Sequence, residues 1–303
     1  MDPTALPEII RRHVNIAFDP AKARGWYFTK KEIEDFFNAV SFIFPPGEKF
    51  FIQSVQNYRD RITDPVLKEQ VKRFIYQEAM HTKEHVRCNL ALSDAIPNGH
   101  RIEEFTAKFI AAVHRFSPKA TQLAWTCALE HFTAILADTL LRNQEAFLSE
   151  TDPAFASLWL WHAVEESEHK AVCFDVYQEI AGKGVLGYLH RATVMFLASL
   201  TFLITLYVAV RQVRKGEKAG KENPVTEMPV TENRVTEGSR DQPPANPSNK
   251  TGLRRFLEIL PLKLYFDYYR PSFHPWDHNN ISLIDEWKER YRDFGGPDVA
   301  VNE

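Results

Sequence analysis

The sequence predicts an all-α protein, on three observations. Only 12 glycines occur in 303 residues, aromatic residues reach 13% with 22 Phe among them, and apolar side chains recur at three- and four-residue steps. That balance favours long aromatic-rich helices over a turn-dense β protein. Residues 1–29 are of mixed character and read as an N-terminal extension. The first helical period begins at Lys30, with Ile33, Phe36, Phe37, Val40 and Phe44 on one face, and Pro45-Pro46 is expected to stop it. A second helix is expected from Gly47 to about Ile62. Thr63-Asp64-Pro65 then supplies a capping side chain and a first-turn proline for a third, running to about Leu92. A shorter helix covers 101–116, and Ser117-Pro118 opens a long one to about Leu148. Thr151-Asp152-Pro153 starts another to about Ile180, before Gly182 and Gly184 interrupt the pattern.

Ala192 to Val210 are nineteen uncharged residues, long enough to span a bilayer but equally suited to a buried helix. Arg211, Arg214, Lys215, Lys218 and Lys221 follow, and basic residues prefer the cytoplasmic side. If the preceding domain is cytoplasmic as well, a single crossing conflicts with this flank, whereas a monotopic insertion or a protein interface does not. Residues 216–251, rich in Lys, Glu, Pro, Asn and Ser with Val-Thr-Glu at 225, 230 and 235, read as a solvated, disordered linker. An amphipathic helix is expected over 253–269, a proline-broken aromatic loop through Phe273-His274-Pro275-Trp276, and a last short helix from Ile281 to about Phe294. The expected divisions are thus an extension (1–29), a bundle (30–190), an apolar helix (191–215), a linker (216–251) and a C-terminal segment (252–303).

Composition excludes several classes. Lys plus Arg total 37 against 40 Asp plus Glu, a net charge of -3, so the chain is not built to sit on nucleic-acid phosphates. Three cysteines, Cys88, Cys127 and Cys173, fit neither a disulfide framework nor a zinc ribbon, and no apolar run follows a basic head at the start. A cytoplasmic location, or the cytoplasmic face of a membrane contacted through 192–210, is expected.

The chemistry lies in a repeat. Thirteen residues after the proline of Thr63-Asp64-Pro65 comes Glu78, with His81 three further on, and Thr151-Asp152-Pro153 is followed at the same offsets by Glu166 and His169. One Glu-x-x-His pair is a weak signal, since it occurs on many solvated faces. Two copies at one offset from one type of cap are a strong signal, because three residues apart on a helix a carboxylate and an imidazole project together. Each copy requires a partner carboxylate on the preceding helix. Glu48 lies fifteen residues before the turn at 63 and Glu78 fifteen after it, so an antiparallel hairpin returns them to one level. Glu130 is the looser equivalent for Glu166.

Glu, Glu-x-x-His, Glu, Glu-x-x-His in this order is the ligand set of ferritin-like di-iron and di-manganese carboxylate bundles. The expected architecture is therefore a ferritin-like four-helix bundle with additional N- and C-terminal helices, holding two Fe, with Mn/Fe or Mn as alternatives. By that resemblance Glu48 and His81 would hold one metal, Glu130 and His169 the other, and Glu78 and Glu166 would bridge. His85 and His162 fall on the same faces as additional ligands or as hydrogen-bonding supports, and Cys127 and Cys173 as buried small residues. His274 and His278 are separated by Pro275 and are expected in a loop.

Phe44 to Leu90, the run Trp159 to Lys170 (WLWHAVEESEHK) and the segment through Phe273-His274-Pro275-Trp276 resemble the bacterial family labelled predicted metal-dependent hydrolase. That label implies a hydrolase using a metal-bridging hydroxide. The superfamily resemblance implies O2-dependent oxidation, which we expect to be the main activity, on a hydrophobic small molecule and with an electron donor as partner; iron storage is a further class. The site where radical-generating relatives carry a tyrosine is occupied by His85. A homodimer is common among such bundles.

Overall fold

A computed structural model describes residues 6–222 and 261–292, and among them the chain is helical with no strand beyond one isolated bridge between Tyr27 and Thr151. The bundle consists of α1 (Lys31–Gln56), α2 (Pro65–Ala91), α4 (Lys119–Arg142) and α6 (Pro153–His169). Around these lie α3 (Gly99–Phe116), α5 (Gln144–Ser149), α7 (Val172–Ile180), α8 (Gly184–Glu222), α9 (Leu262–Asp267) and α10 (Ile281–Arg290). Both Asp-Pro starts behave as expected: the Asp64 carboxylate accepts from the Val66 amide at 2.8 Å, and that of Asp152 from the Ala154 amide at 3.0 Å.

The expected stop at Pro45-Pro46 is absent, and so is a separate helix from Gly47 to Ile62. Helix α1 runs through both prolines to Gln56, followed by a 3-10 turn at Arg59–Arg61. Pro45 has no N–H to give the carbonyl of Ser41, four residues back. Asn89 on α2 replaces it, donating Nδ2 to that carbonyl at 3.1 Å and accepting the Ser41 hydroxyl at 2.7 Å. A neighbouring helix thus satisfies the group that the proline orphans, and the helix survives.

Other boundaries shift for similar local reasons. The helix expected over 118–148 divides at Asn143, whose side chain bonds the Thr139 carbonyl at 2.7 Å. The helix expected over 153–180 breaks after His169, where Lys170 turns out to reach the carbonyl of His278 at 2.6 Å and Asn280 Oδ1 at 2.8 Å. Helix α8 is far longer than 192–210, so residues 216–222, expected to begin the linker, are helical. The remainder of that linker, 223–251, and the start of the helix expected at 253 lie outside the described residues. In the tail, His274 and His278 pair with Asp175 and Asp267, at 2.9 and 3.1 Å, and Arg270 pairs with Asp277 at 2.7 Å.

Residues 6–29 are not an appendage. They run as an irregular strap along the bundle, tied by the Ile10 amide to Glu168, the Ile16 amide to Glu84 and the Trp26 indole to Asn38. Strap and tail together cover α6, which is buried on nearly every side.

Two hydrophobic clusters fill the bundle. One contains Phe37, Val40, Phe44, Met80, Leu140, Trp159 and Val164; the other contains Phe50, Val55, Phe74, Leu123, Ala128, Val172 and Tyr177. The layer left between them holds Glu48, Glu78, Glu130 and Glu166. At the α7–α8 corner, a Cβ on Gly187 would lie 2.5 Å from the backbone carbon of Gly182 and 2.6 Å from the Ala181 oxygen.

Two stability predictions follow from this packing. Asn89→Ala should cost about 1–3 kcal/mol by urea unfolding. The loss should shrink in a Pro45→Ala background, where the new N–H can serve Ser41; equal losses in both backgrounds would remove the proposed compensation. Gly187→Ala should destabilise by roughly 1–3 kcal/mol, because the obstruction is backbone and cannot rotate away.

Candidate metal centre

All six predicted ligands converge, each helix of the bundle contributing at least one. Glu48 comes from α1, Glu78 and His81 from α2, Glu130 from α4, and Glu166 and His169 from α6. All are buried to within a few percent. The Glu-x-x-His pairs face each other: Glu78 Oε1 lies 3.2 Å from His169 Nε2 and 3.9 Å from His81 Nδ1, while Glu166 lies 3.6 Å from His81 Nδ1 and 3.5 Å from His169 Nε2. Glu130 Oε2 is 3.5 Å from His169 Nε2. Potential ligand atoms of Glu48, Glu78 and His81 lie within 4.8 Å of one another, as do those of Glu78, Glu166 and His169.

The hydrogen bonding identifies what these atoms lack. Glu48 Oε1, both oxygens of Glu78, both of Glu130, Glu166 Oε2, His81 Nδ1 and His169 Nε2 are buried without a hydrogen-bond partner. Orphaned buried polar atoms are rare in native proteins, and here they share one small volume. Their donor chemistry, carboxylate oxygen with imidazole nitrogen, fits divalent iron or manganese.

The far side of each histidine is fully engaged. Glu165 Oε2 lies 3.1 Å from His81 Nε2, and Gln77 Oε1 lies 2.9 Å from His169 Nδ1. Gln77 Oε1 can only accept, and Glu165 accepts in its ionised form, so these partners assign the ring proton to the outer nitrogen and leave a lone pair facing inward. Thr82 Oγ1 donates to Glu48 Oε2 at 2.8 Å, leaving only Oε1 free. Behind this layer stands Arg12 of the strap, which donates to Glu165 at 2.9 Å and to Glu168 at 2.7 Å; Glu168 also accepts from Gln77 at 2.8 Å and from Lys288 at 3.0 Å. Gln77, Thr82, Glu165, Glu168 and Arg12 were not foreseen. A Glu165-Glu166-Ser167-Glu168 run reads as a solvated face, and the only available hint was that its two outer carboxylates could not both face water on a helix otherwise so apolar.

His85 and His162 are also in place. Their ligand atoms lie within 4.8 Å of those of Glu48. All four of their nitrogens nevertheless have hydrogen-bond partners: His85 bonds Ser41 Oγ at 2.9 Å and His162 Nδ1 at 2.8 Å, and His162 Nε2 meets Glu166 Oε1 at 3.0 Å. They form a polar line from Glu166 to Ser41. Cys127 and Cys173 are buried as expected, Cys127 Sγ lying 3.2 Å from the Cys173 carbonyl, and burial pushes both thiols well up.

The electrostatics describe an uncompensated cluster. Burial, and then neighbouring carboxylates, push Glu78 and Glu130 well above the usual carboxylate range, and burial does the same to Glu48. Burial would raise Glu166 too, but the contact with His169 and the hydrogen bond with His162 hold it low. Glu165 is pushed up to about 8 by burial against the pull of Arg12. No Lys or Arg bonds any of the four central carboxylates among the described residues.

A cavity of about 230 Å³ reaches this site through Glu48, which is part of its lining. Its other walls are apolar side chains such as Phe44, Phe109, Trp125, Phe132 and Phe202, with a few threonines.

A helical bundle with a buried carboxylate and histidine cluster open to an apolar cavity defines a metal-dependent class of protein. The chain belongs to the family described as predicted metal-dependent hydrolase, which matches residues 10–279. No curated protein and no solved structure matches the chain.

Chelation should therefore destabilise the protein, with a definite pH dependence. Three raised carboxyls keep their protons where the unfolded chain's would ionise, so the stability they contribute is present below about pH 4.3 and lost as pH rises. Melting temperature in chelator should fall from about pH 5 to 8, and metal-loaded protein should not show that fall; parallel curves would sink the idea. Arg12→Met should cost about 3–5 kcal/mol, since it strands Glu165 and Glu168 in the interior.

Proposed function

We propose that this chain is a dinuclear metalloenzyme acting on an elongated apolar substrate, and that its reaction is hydrolytic. Glu48 and His81 would hold one ion, Glu130 and His169 the other, and Glu78 and Glu166 would lie between them, in the manner of ferritin-like carboxylate bundles. The observation that carries this reading is the placement of Glu78 and Glu166, each within 4 Å of both inward-facing histidine nitrogens. Two divalent ions, iron or manganese, would balance the four carboxylates. Bound there, they would lower the pKa of a water and polarise a carbonyl.

The remaining work falls to the chain's own residues. Glu165 and Gln77 keep His81 and His169 in the inward-facing tautomer. Thr82 fixes the rotamer of Glu48 where the cavity meets the site. His162 Nδ1, bonded to His85 Nε2 and through it to Ser41, offers a line along which a proton can leave. The apolar walls align a hydrocarbon chain with its reactive group at Glu48.

The family description supports hydrolysis over oxidation. One observation favours the second reading, O2-dependent oxidation with an external electron donor: the cavity walls are nearly all apolar, and hydrolysis consumes water. Elemental analysis should find about two metal ions per chain, lost in Glu78→Ala/Glu166→Ala. Loaded protein should then cleave long-chain acyl esters or amides without consuming oxygen. Oxygen uptake stimulated by the same compounds, without cleavage, would transfer the assignment to the oxidative reading. His162→Gln should keep the metal and lose about 10–100-fold in turnover.

A further inference from the structure

Helix α8 carries an apolar stripe that the described residues leave largely exposed. Leu186, Leu189, Phe196, Leu200, Leu203 and Tyr207 recur at helical spacing, and Leu186, Phe196, Leu200 and Leu203 are 82%, 62%, 52% and 60% exposed. Leu186 to Tyr207 covers roughly 31 Å of helix at 1.5 Å per residue. Only 28% of the most apolar window is buried, which separates α8 from the core helix of a water-soluble bundle. A crossing orientation conflicts with the opposite face, where Val194, Met195 and Ala198 belong to one hydrophobic cluster and Ala209 and Val213 to the other. That face ties α8 to the bundle along its length, so a bilayer can be met only in the plane of its surface.

The same stripe continues into charge. After Tyr207, the next exposed positions at helical spacing are Arg211, Lys215 and Lys218, and Lys183 precedes the stripe at its other end. Among the described side chains at this end, the acid Glu217 is occupied by Lys31. We propose that this face of α8 docks on an anionic phospholipid surface, the leucines and Phe196 entering the acyl boundary and the basic residues meeting headgroups. A second copy of the chain fits less well. Antiparallel pairing would set Arg211 to Lys218 against Lys183, and parallel pairing would set like charges together.

Leu203 belongs both to this stripe and to the wall of the cavity that reaches Glu48. The cavity mouth therefore opens beside the docked face, and an apolar substrate dissolved in the bilayer has a direct path inward. That last step rests on the proposed reaction, whereas the docking itself does not.

The test is co-sedimentation of the full chain with phosphatidylcholine vesicles, with and without about 30% phosphatidylserine, at low and high salt. Binding to the anionic vesicles, weakened by salt, is expected. Phe196→Glu/Leu200→Glu, at exposed positions that should leave the melting temperature unchanged, should abolish it. Arg211→Glu/Lys215→Glu should weaken it about tenfold or more. Glu78→Ala/Glu166→Ala should bind as the parent does, so a failure of docking is distinguishable from a failure of the proposed chemistry. Absence of vesicle binding overturns the proposal. If the protein is then a dimer that Phe196→Glu/Leu200→Glu converts to monomer, a second copy covers the face.

Discussion

Four glutamates at the centre of the bundle set the terms for everything around them. Taking an ionised carboxylate out of water is costly unless it meets a cation or a set of hydrogen-bond donors, and these four have few of either. Glu48 has one donor in Thr82, Glu166 has His162, and Glu78 and Glu130 have neither a donor nor a cationic side chain. A fold that gathers such groups between two hydrophobic clusters is suited to hold positive charge, and the inward lone pairs of His81 and His169 face the same volume.

The strap and tail serve the same constraint from outside. Orienting two imidazoles requires acceptors behind them, and Glu165 and Gln77 take that role inside the protein. Their burial creates a further charge problem, which Arg12 and Lys288 answer through Glu165 and Glu168. Residues far apart in sequence are therefore part of one electrostatic unit. The family match, from residue 10 to residue 279, takes in Arg12 of the strap as well as the bundle.

Helix α8 joins the centre to the surface. Its inner face closes one wall of the apolar cavity, with Phe202 stacked on Phe132 at 5.2 Å, and its outer face stays apolar in solvent. A helix that is apolar all round is ordinarily interior or in lipid. Here one face is interior, and the outer face is what the proposed docking would cover.

The sequence by itself determined the all-α class, the Asp-Pro starts of α2 and α6, and the six converging residues. Most of these rest on local rules: capping, helical period, and a repeated three-residue offset that carries side chains to one face; Glu48 and Glu130 rest on the length arithmetic of antiparallel hairpins. The tertiary structure alone decided that α1 continues through Pro45-Pro46, because the donor that rescues the Ser41 carbonyl sits on another helix. It alone decided that Glu165 and Glu168 face Arg12 rather than water, and that His85 and His162 form a hydrogen-bonded line beside the cluster. It also set the break after His169, where Lys170 leaves the helix for Asn280. In each case the deciding partner is many residues away, and a local pattern records what a side chain can do but not which distant group will satisfy it.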